Sequence, residues 1–250
     1  MEFSLNDFSN KNVLITGGCG FIGSNIAHQL VQSKVNANIT LFDSMDPDIH
    51  HNDIFHNVCN IEDIKEKVRL VRGDIRDFEA VSEEVKDQDI IFHCAAHTSH
   101  PLSLKHPHLN LDVNCKGSLN LLEAARKLND RVKIVYLGSS SQIGQKKYEP
   151  IDENHPEFPR DIYSANKMLA EKYHLIYNYV YGMQTSCLRL GNIYGPRAAI
   201  HSPNFGFINY FIGLALGDKE ITIYEPGNQT RTLLFVDDAV SAVLKAGTTN

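Results

Sequence analysis

No run of five basic residues occurs in the chain, no apolar stretch approaches the roughly 18 residues of a membrane span, and no C-x-x-C pair is present. The first absence, with a net charge of −6, argues against nucleic acid and anionic membrane as partners. The second leaves no candidate span, and no secretory segment precedes Val13, so cytoplasm is the expected compartment. Cys19, Cys59, Cys94, Cys115 and Cys187 are odd in number and scattered, as in a reduced protein without a disulfide framework. Internal repeats and low-complexity segments are lacking too. What remains is 250 residues with 42% hydrophobic content, enough for one large domain with an elaboration.

The most informative stretch is Asn12 to Gly23, in which the apolar run Val13-Leu14-Ile15 leads into glycines at 17, 20 and 23 and then a helix-compatible segment. Strand, tight turn and helix start in that order make a dinucleotide cradle, because the helix N-terminus offers free N–H groups to a pyrophosphate. Phe21 and Ile22 lie inside this loop. Asp43 stands 20 residues past Gly23, at the end of the run Ile39-Thr40-Leu41-Phe42. A carboxylate there accepts hydrogen bonds from the adenosine ribose hydroxyls and repels a 2′-phosphate, and Ser44-Met45-Asp46 offers no cation to hold one. NAD is the expected cofactor.

The alternation of elements predicts an α/β fold with a right-handed, doubly wound parallel sheet of Rossmann type. Expected strands are 13–16, 39–42, 68–71, 89–97, 133–137 and 185–190, and expected helices are 21–32, 74–86, 111–129 and 163–179. Residues 1–11 read as a polar arm. Residues 46–64, which carry His50, His51 and His56, read as a surface excursion. Residues 191–227 change character, being rich in Asn, Gly, Pro and aromatics, and suggest a small substrate lobe with a helix at 204–216 and a strand at 221–224. Thr232 to Val236 is expected to rejoin the sheet and Asp237-Asp238 to cap a last helix. The expected division is therefore 1–190 for the cofactor domain, 191–231 for the lobe, and 232–250 for the return strand and helix.

Tyr163 and Lys167 are i and i+4 on one helix and share a face. A neighbouring ammonium stabilises tyrosinate; bringing a phenol from about 10 toward 7 takes roughly 4 kcal/mol, which a Lys and a nicotinamide cation in a desolvated site supply together. Tyr163 then acts as general acid and base on a carbinol oxygen, and Ser139, at the carboxyl end of the fifth strand, bonds the same oxygen. The histidines at 93, 97, 100, 106 and 108 have spacings that match no standard metal site, so no metal is expected. The aromatics of 204–211 are read as packing a helix rather than stacking a base.

Taken together, residues 12 to about 248 resemble the extended short-chain dehydrogenase/reductases, specifically the NAD-dependent sugar-nucleotide epimerase/dehydratase family. The matching motifs are Thr16 to Gly23, Asp43, Gly73-Asp74-Ile75, Cys94-Ala95-Ala96, Val113-Asn114, Ser139, Tyr163 with Lys167, Arg189 to Pro196, and Gln229-Thr230-Arg231 leading to Phe235-Val236-Asp237-Asp238. The resemblance implies that Asp74 and Ile75 flank the adenine, that Ala95 and Ala96 back the pyrophosphate and ribose, and that Asn114 lies beside the cofactor. It further implies that Asn192 and Arg231 hold the diphosphate of a nucleoside diphosphate sugar, while His97 or Thr98, with Ser140, border the sugar. On residue grounds alone, Arg231 also reads as a surface cation before an edge strand, and Asn192 as a turn residue.

Departures from the family pattern narrow the reaction. Dehydratases of the family place Asp-Glu after the catalytic hydroxyl residue and decarboxylases a Glu, where this chain has Ser140-Ser141. Elimination is therefore disfavoured, and the expectation is a UDP-glucose 4-epimerase-like reaction: hydride out, rotation of the keto sugar, hydride back. The alternatives are a keto-sugar-nucleotide reductase and a non-catalytic NAD-binding regulator. The family also implies a homodimer through helices 111–129 and 163–179. Because its members usually continue past the Asp-Asp helix, the chain is expected to be shortened, truncated or completed by another chain.

Overall fold

A computed structural model describes residues 4–46 and 57–249. The predicted excursion falls partly outside them, His50, His51 and His56 included. Strands β1 (Asn12–Thr16), β2 (Asn38–Asp43), β3 (Arg69–Arg72), β4 (Ile90–His93), β5 (Lys133–Ser139) and β6 (Thr185–Leu190) form one parallel sheet in the order β3-β2-β1-β4-β5-β6. This is the doubly wound order, with the topological switch between β1 and β4.

Helices α1 (Phe21–Gln32), α2 (Phe78–Val85), α3 (His100–Lys105), α4 (Pro107–Leu111), α5 (Gly117–Leu128), α6 (Ile162–Tyr181), α7 (Phe207–Leu216) and α8 (Val236–Thr248) complete the described helices. Strand alternation sorts the core. Val13, Ile15 and Phe92 point to the face covered by Ile26 and Leu30 of α1 and Val240 and Leu244 of α8. Leu14, Ile91 and Ile134 point to the other face, under Val81 and Val85 of α2 and Leu121 and Leu122 of α5. Each fully buried aliphatic side chain contributes about 1.5–3 kcal/mol of transfer free energy, so both faces specify the register.

Several expectations are corrected. The segment 1–11 is more than a polar arm: Leu5–Phe8 forms a short turn of helix, and Phe8 is fully buried against Phe92 at 6.1 Å. Helix α2 starts at Phe78 rather than 74, because the Asp77 carboxylate accepts from the N–H groups of Glu79 and Ala80 and so fixes the cap there. The single helix expected over 111–129 is α4 and α5 joined by a wide π-helical turn, Asp112–Lys116. Such turns displace one residue outward from the helical repeat. Helix α3, with Ser99 as cap and Pro101 in its first turn, lies outside the expected set.

Residues 221–224 form no strand; Ile223 and Tyr224 are exposed there, with no partner strand among the described residues. Nor does the 232–236 segment rejoin the sheet. Strand β8 (Leu233–Phe235) pairs in parallel with β7 (Asn192–Tyr194), a separate two-stranded sheet pinned by the Asn192 amide donating to the Thr232 carbonyl at 3.1 Å. Helix α8 returns to the main core, and Ile193 and Leu234 of the small sheet pack against it. Among the described residues no helix is long and apolar enough to cross a membrane.

Candidate active site

One cleft of about 660 Å³ runs across the carboxyl ends of the sheet, a size suited to a cofactor and a small ligand. Its first wall is the glycine loop with Phe21 and Ile22, followed by Asp43, Asp74, Ile75, Ala95 and Ala96. Gly17 has φ +65, and a Cβ there would lie 2.8 Å from the Ala95 backbone. A Cβ on Gly23 would collide with the carbonyl oxygen of Gly17, so the loop and α1 touch backbone to backbone. No side chain caps the first turn of α1, which lines the cleft, and such a helix start offers its N–H groups to an anion.

Asp43 is buried; one carboxylate oxygen accepts from Cys19 N–H at 3.0 Å and the other from Met45 N–H at 2.9 Å. This holds a carboxylate at the edge of the cleft with lone pairs to spare for ribose hydroxyls. Asp74 is paired with Arg76 at 2.5 Å; burial pushes its carboxyl up, but the Arg76 hydrogen bonds outweigh that and lower it. The cradle that only glycine fits, the uncapped helix start and the anchored carboxylate together fit a dinucleotide without a 2′-phosphate.

The second wall comes from α3, the end of β5 and α6. Ser139, Ser140, Ser141 and Tyr163 line it. The Tyr163 hydroxyl lies beside Ser139. Burial pushes the phenol up to about 12, the Ser139 hydroxyl opposes this, and Asp161 adds to it. Lys167 is buried one turn on, its Nζ 4.3 Å from the centroid of Tyr136. Burial lowers its ammonium to about 8, partly offset by Cys94, Cys115, Cys187 and Glu171. In the protein alone desolvation is the largest influence on both groups.

Behind Ser139, Glu171 accepts from Gln142 at 2.6 Å and from Arg189 at 2.7 Å, and Arg189 also bonds Glu157 at 2.6 Å. Burial raises the Glu171 carboxyl, and Arg189 and Gln142 more than reverse it. The network ties the end of β5 to α6 and β6 and so fixes the spacing of Ser139 and Tyr163.

Other predicted residues fall elsewhere. His97 is buried off the cleft lining, its backbone and Nδ1 bonded to Asn114 and Asn110 at 2.9–3.1 Å. Asn114 is buried, spends its amide on that loop and does not line the cleft. Asn192 lines the cleft, whereas Arg231 is exposed and bonds the Thr230 carbonyl at 2.8 Å. Residues that the sequence reading missed also line it: Ser99, His100, Arg197, Phe205 and Phe207. Arg197 has φ 69, and its buried Nε has no hydrogen-bond partner among the described residues. A cation directly after Gly195-Pro196 is the available signal.

Residues 13–250 match the model of the NAD dependent epimerase/dehydratase family. The chain is 31% identical over 237 residues to a UDP-glucose 4-epimerase of Mycolicibacterium smegmatis, covering 94% of this chain and 72% of that protein. Among solved structures, it is similar to a UDP-N-acetylglucosamine 4-epimerase from Methanobrevibacter ruminantium M1 in complex with UDP-N-acetylmuramic acid. That match has TM-score 0.85, 29% identity, and coverage of 95% of this chain and 73% of that one. A UDP-glucose 4-epimerase of Thermus thermophilus in complex with NAD gives TM-score 0.80 at 30% identity, covering 96% of this chain and 75% of that one. The chain belongs to the NAD-dependent epimerase/dehydratase family.

Proposed function

We propose that the chain is an NAD-dependent epimerase of a nucleoside diphosphate sugar, acting at C4, with Tyr163 as base and acid, Lys167 tuning it and Ser139 orienting the reacting oxygen. The observation that carries this is Tyr163 and Ser139 side by side on one wall of a cleft whose other wall is the glycine loop. Bound NAD supplies a reversible hydride acceptor and, beside the phenol, a further positive charge. Gly17, Gly20, Phe21, Ile22, Gly23, Asp43, Asp74, Ile75, Ala95 and Ala96 line its side of the cleft.

Tyr163 Oη takes the proton of the sugar carbinol as the C–H bond breaks, and returns it when hydrogen is restored to the opposite face. Ser139 Oγ donates to the intervening ketone oxygen. Nothing acidic or basic stands at Ser140-Ser141, so the elimination that a dehydratase needs has no general acid there. Asn192 reaches the cleft as a ligand for the diphosphate; Arg231 joins it by movement of an exposed segment.

Residues 1–190 and α8 form the cofactor domain in this reading, and 191–231 the substrate lobe. Leu175, Ile176, Tyr179 and Val180 leave one stripe of α6 exposed, Tyr179 by 90%, which supports a homodimer through α5 and α6. Cytoplasm fits the free, partly buried cysteines. The test is incubation with NAD and a panel of UDP-, GDP-, CDP- and dTDP-sugars, following anomeric protons by NMR. A new epimer from one substrate, lost in Tyr163→Phe, is expected; no conversion by NAD-loaded protein would overturn the reading.

A further inference from the structure

Between Tyr163 and solvent lies a row of side chains of which the reaction as described uses only Ser139. Ser139 Oγ is 2.8 Å from Ser141 Oγ, which is 2.9 Å from Ser164 Oγ. Ser164 Oγ is 3.0 Å from Asp161 Oδ2, and the same oxygen is 2.8 Å from His100 Nδ1. The His100 imidazole is 52% exposed and stands at the cleft edge, its ring edge-on to Tyr163 at 5.1 Å. Each hydroxyl has one proton to give. Ser164 Oγ is placed to donate either to Asp161 Oδ2 or to Ser141 Oγ; in the second arrangement Ser141 donates to Ser139, and Ser139 faces the Tyr163 oxygen. All donors then point one way, from Asp161 toward the buried phenol oxygen.

We propose that Ser139, Ser141, Ser164, Asp161 and His100 form a proton path that exchanges the Tyr163 phenol with solvent. The inference rests on the reading of Tyr163 as the base and acid. In the step that protonates tyrosinate, Ser139 gives its proton to the phenolate oxygen, Ser141 and Ser164 each replace the proton of the hydroxyl ahead, and Asp161 Oδ2 passes to Ser164 the proton it takes from His100 Nδ1–H. His100 takes a proton from water at Nε2 as it gives up the one on Nδ1. Every hydroxyl ends with one proton, Asp161 ends ionised and the phenol neutral; tyrosinate forms by the same steps in reverse.

The local fold is arranged for this end point. Ser99 adopts φ 92, unusual for a residue with a side chain, and caps α3 by accepting from Leu102 N–H at 3.2 Å, which sets His100 at the first position of the helix. Ser103 Oγ accepts from Tyr163 N–H at 3.1 Å, docking α3 on the start of α6. Asp161 is also the cap of α6, holding Ser164 N–H at 2.8 Å through its other oxygen, and His100 and Ser164 keep its carboxyl low against the pull of burial. The Lys167 ammonium, one turn along the same helix, lies on the Tyr136 ring and outside the row.

The test uses NAD-loaded protein jumped from neutral to alkaline pH, with tyrosinate absorbance followed in time and the Tyr163→Phe signal subtracted. His100→Ala and Ser141→Ala are expected to slow tyrosinate formation at Tyr163 at least about tenfold, the lower end of what positioned proton transfer supplies. Free imidazole should restore the rate in His100→Ala and leave Ser141→Ala slow, a pattern that a purely structural role does not produce. Asp161→Asn keeps an oxygen for the helix cap and should also be slow, which guards against loss of fold in the other variants. Turnover, in which the phenol returns the proton it took, should fall less than the ionisation rate. Unchanged rates in both His100→Ala and Ser141→Ala would overturn the path. A Tyr163→Phe protein that retains epimerase activity would instead overturn the reading on which it rests.

Discussion

Along the ends of β1, β2 and β4 the cleft wall is made of backbone, glycine against carbonyl, with Asp43 held by two N–H groups. Across from it, the wall built by α3, β5 and α6 is made of side chains that hold one another: Ser139, Ser141, Ser164, Asp161, His100, and the Glu171–Arg189–Glu157 network behind. A backbone wall tolerates no added atom; a side-chain wall tolerates exchange but loses function atom by atom. Cofactor binding and chemistry should therefore separate by mutation.

The sharpest separation is Tyr163→Phe, which removes one oxygen from the second wall. Turnover should drop by about 10³ or more while NAD stays bound, measured by NMR of product and by cofactor content after gel filtration. Gly23→Ala should do the reverse in kind: the new methyl collides with the Gly17 carbonyl, so NAD retention is lost by about 100-fold and activity follows only through that loss. Retained NAD in Gly23→Ala would break the comparison.

Glu171→Gln probes what stands behind the second wall. It takes from Arg189 one of its two carboxylate partners, the buried one, leaving Glu157 as the other, and chemical denaturation should show a loss of about 3 kcal/mol. Lys167 gives a pH signature. Its folded-state value near 8 lies below the ordinary lysine value, so the folded protein binds fewer protons than the unfolded one between about 8 and 10.4. This group's contribution to stability therefore rises with pH through that window, by at most about 3 kcal/mol, and the rise should vanish in Lys167→Met. Smallest is Asn209→Ala in the lobe, where one buried amide bridges the Ile193 carbonyl at 3.0 Å and Gly195 N–H at 3.4 Å; about 1–2 kcal/mol is expected from thermal unfolding.

The same contrast explains what can be read from the chain. The first wall is written in glycine spacing and in Asp43, because backbone requirements act on residue type at fixed offsets, and α1 and β6 begin and end where their residues predict. Tyr163 and Lys167 are legible from their helical spacing. His100, Asp161 and Ser164 are not, since their meeting depends on α3 docking 60 residues away through Ser103, a tertiary event without local pattern. His97 misleads in the same way: it follows Ala95-Ala96 in sequence yet turns inward to Asn110 and Asn114. In the lobe, Leu233 to Phe235 has strand character, but its partner β7 is decided by pairing rather than by its own residues.

The most direct test of the account is epimerisation of a nucleotide sugar deuterated at C4, run with NAD in ordinary water. Hydride removal and return across one cleft predicts that the epimer keeps its deuterium at C4. Deuterium lost to solvent in the product would contradict the central claim, because the C4 hydrogen would then have left as a proton.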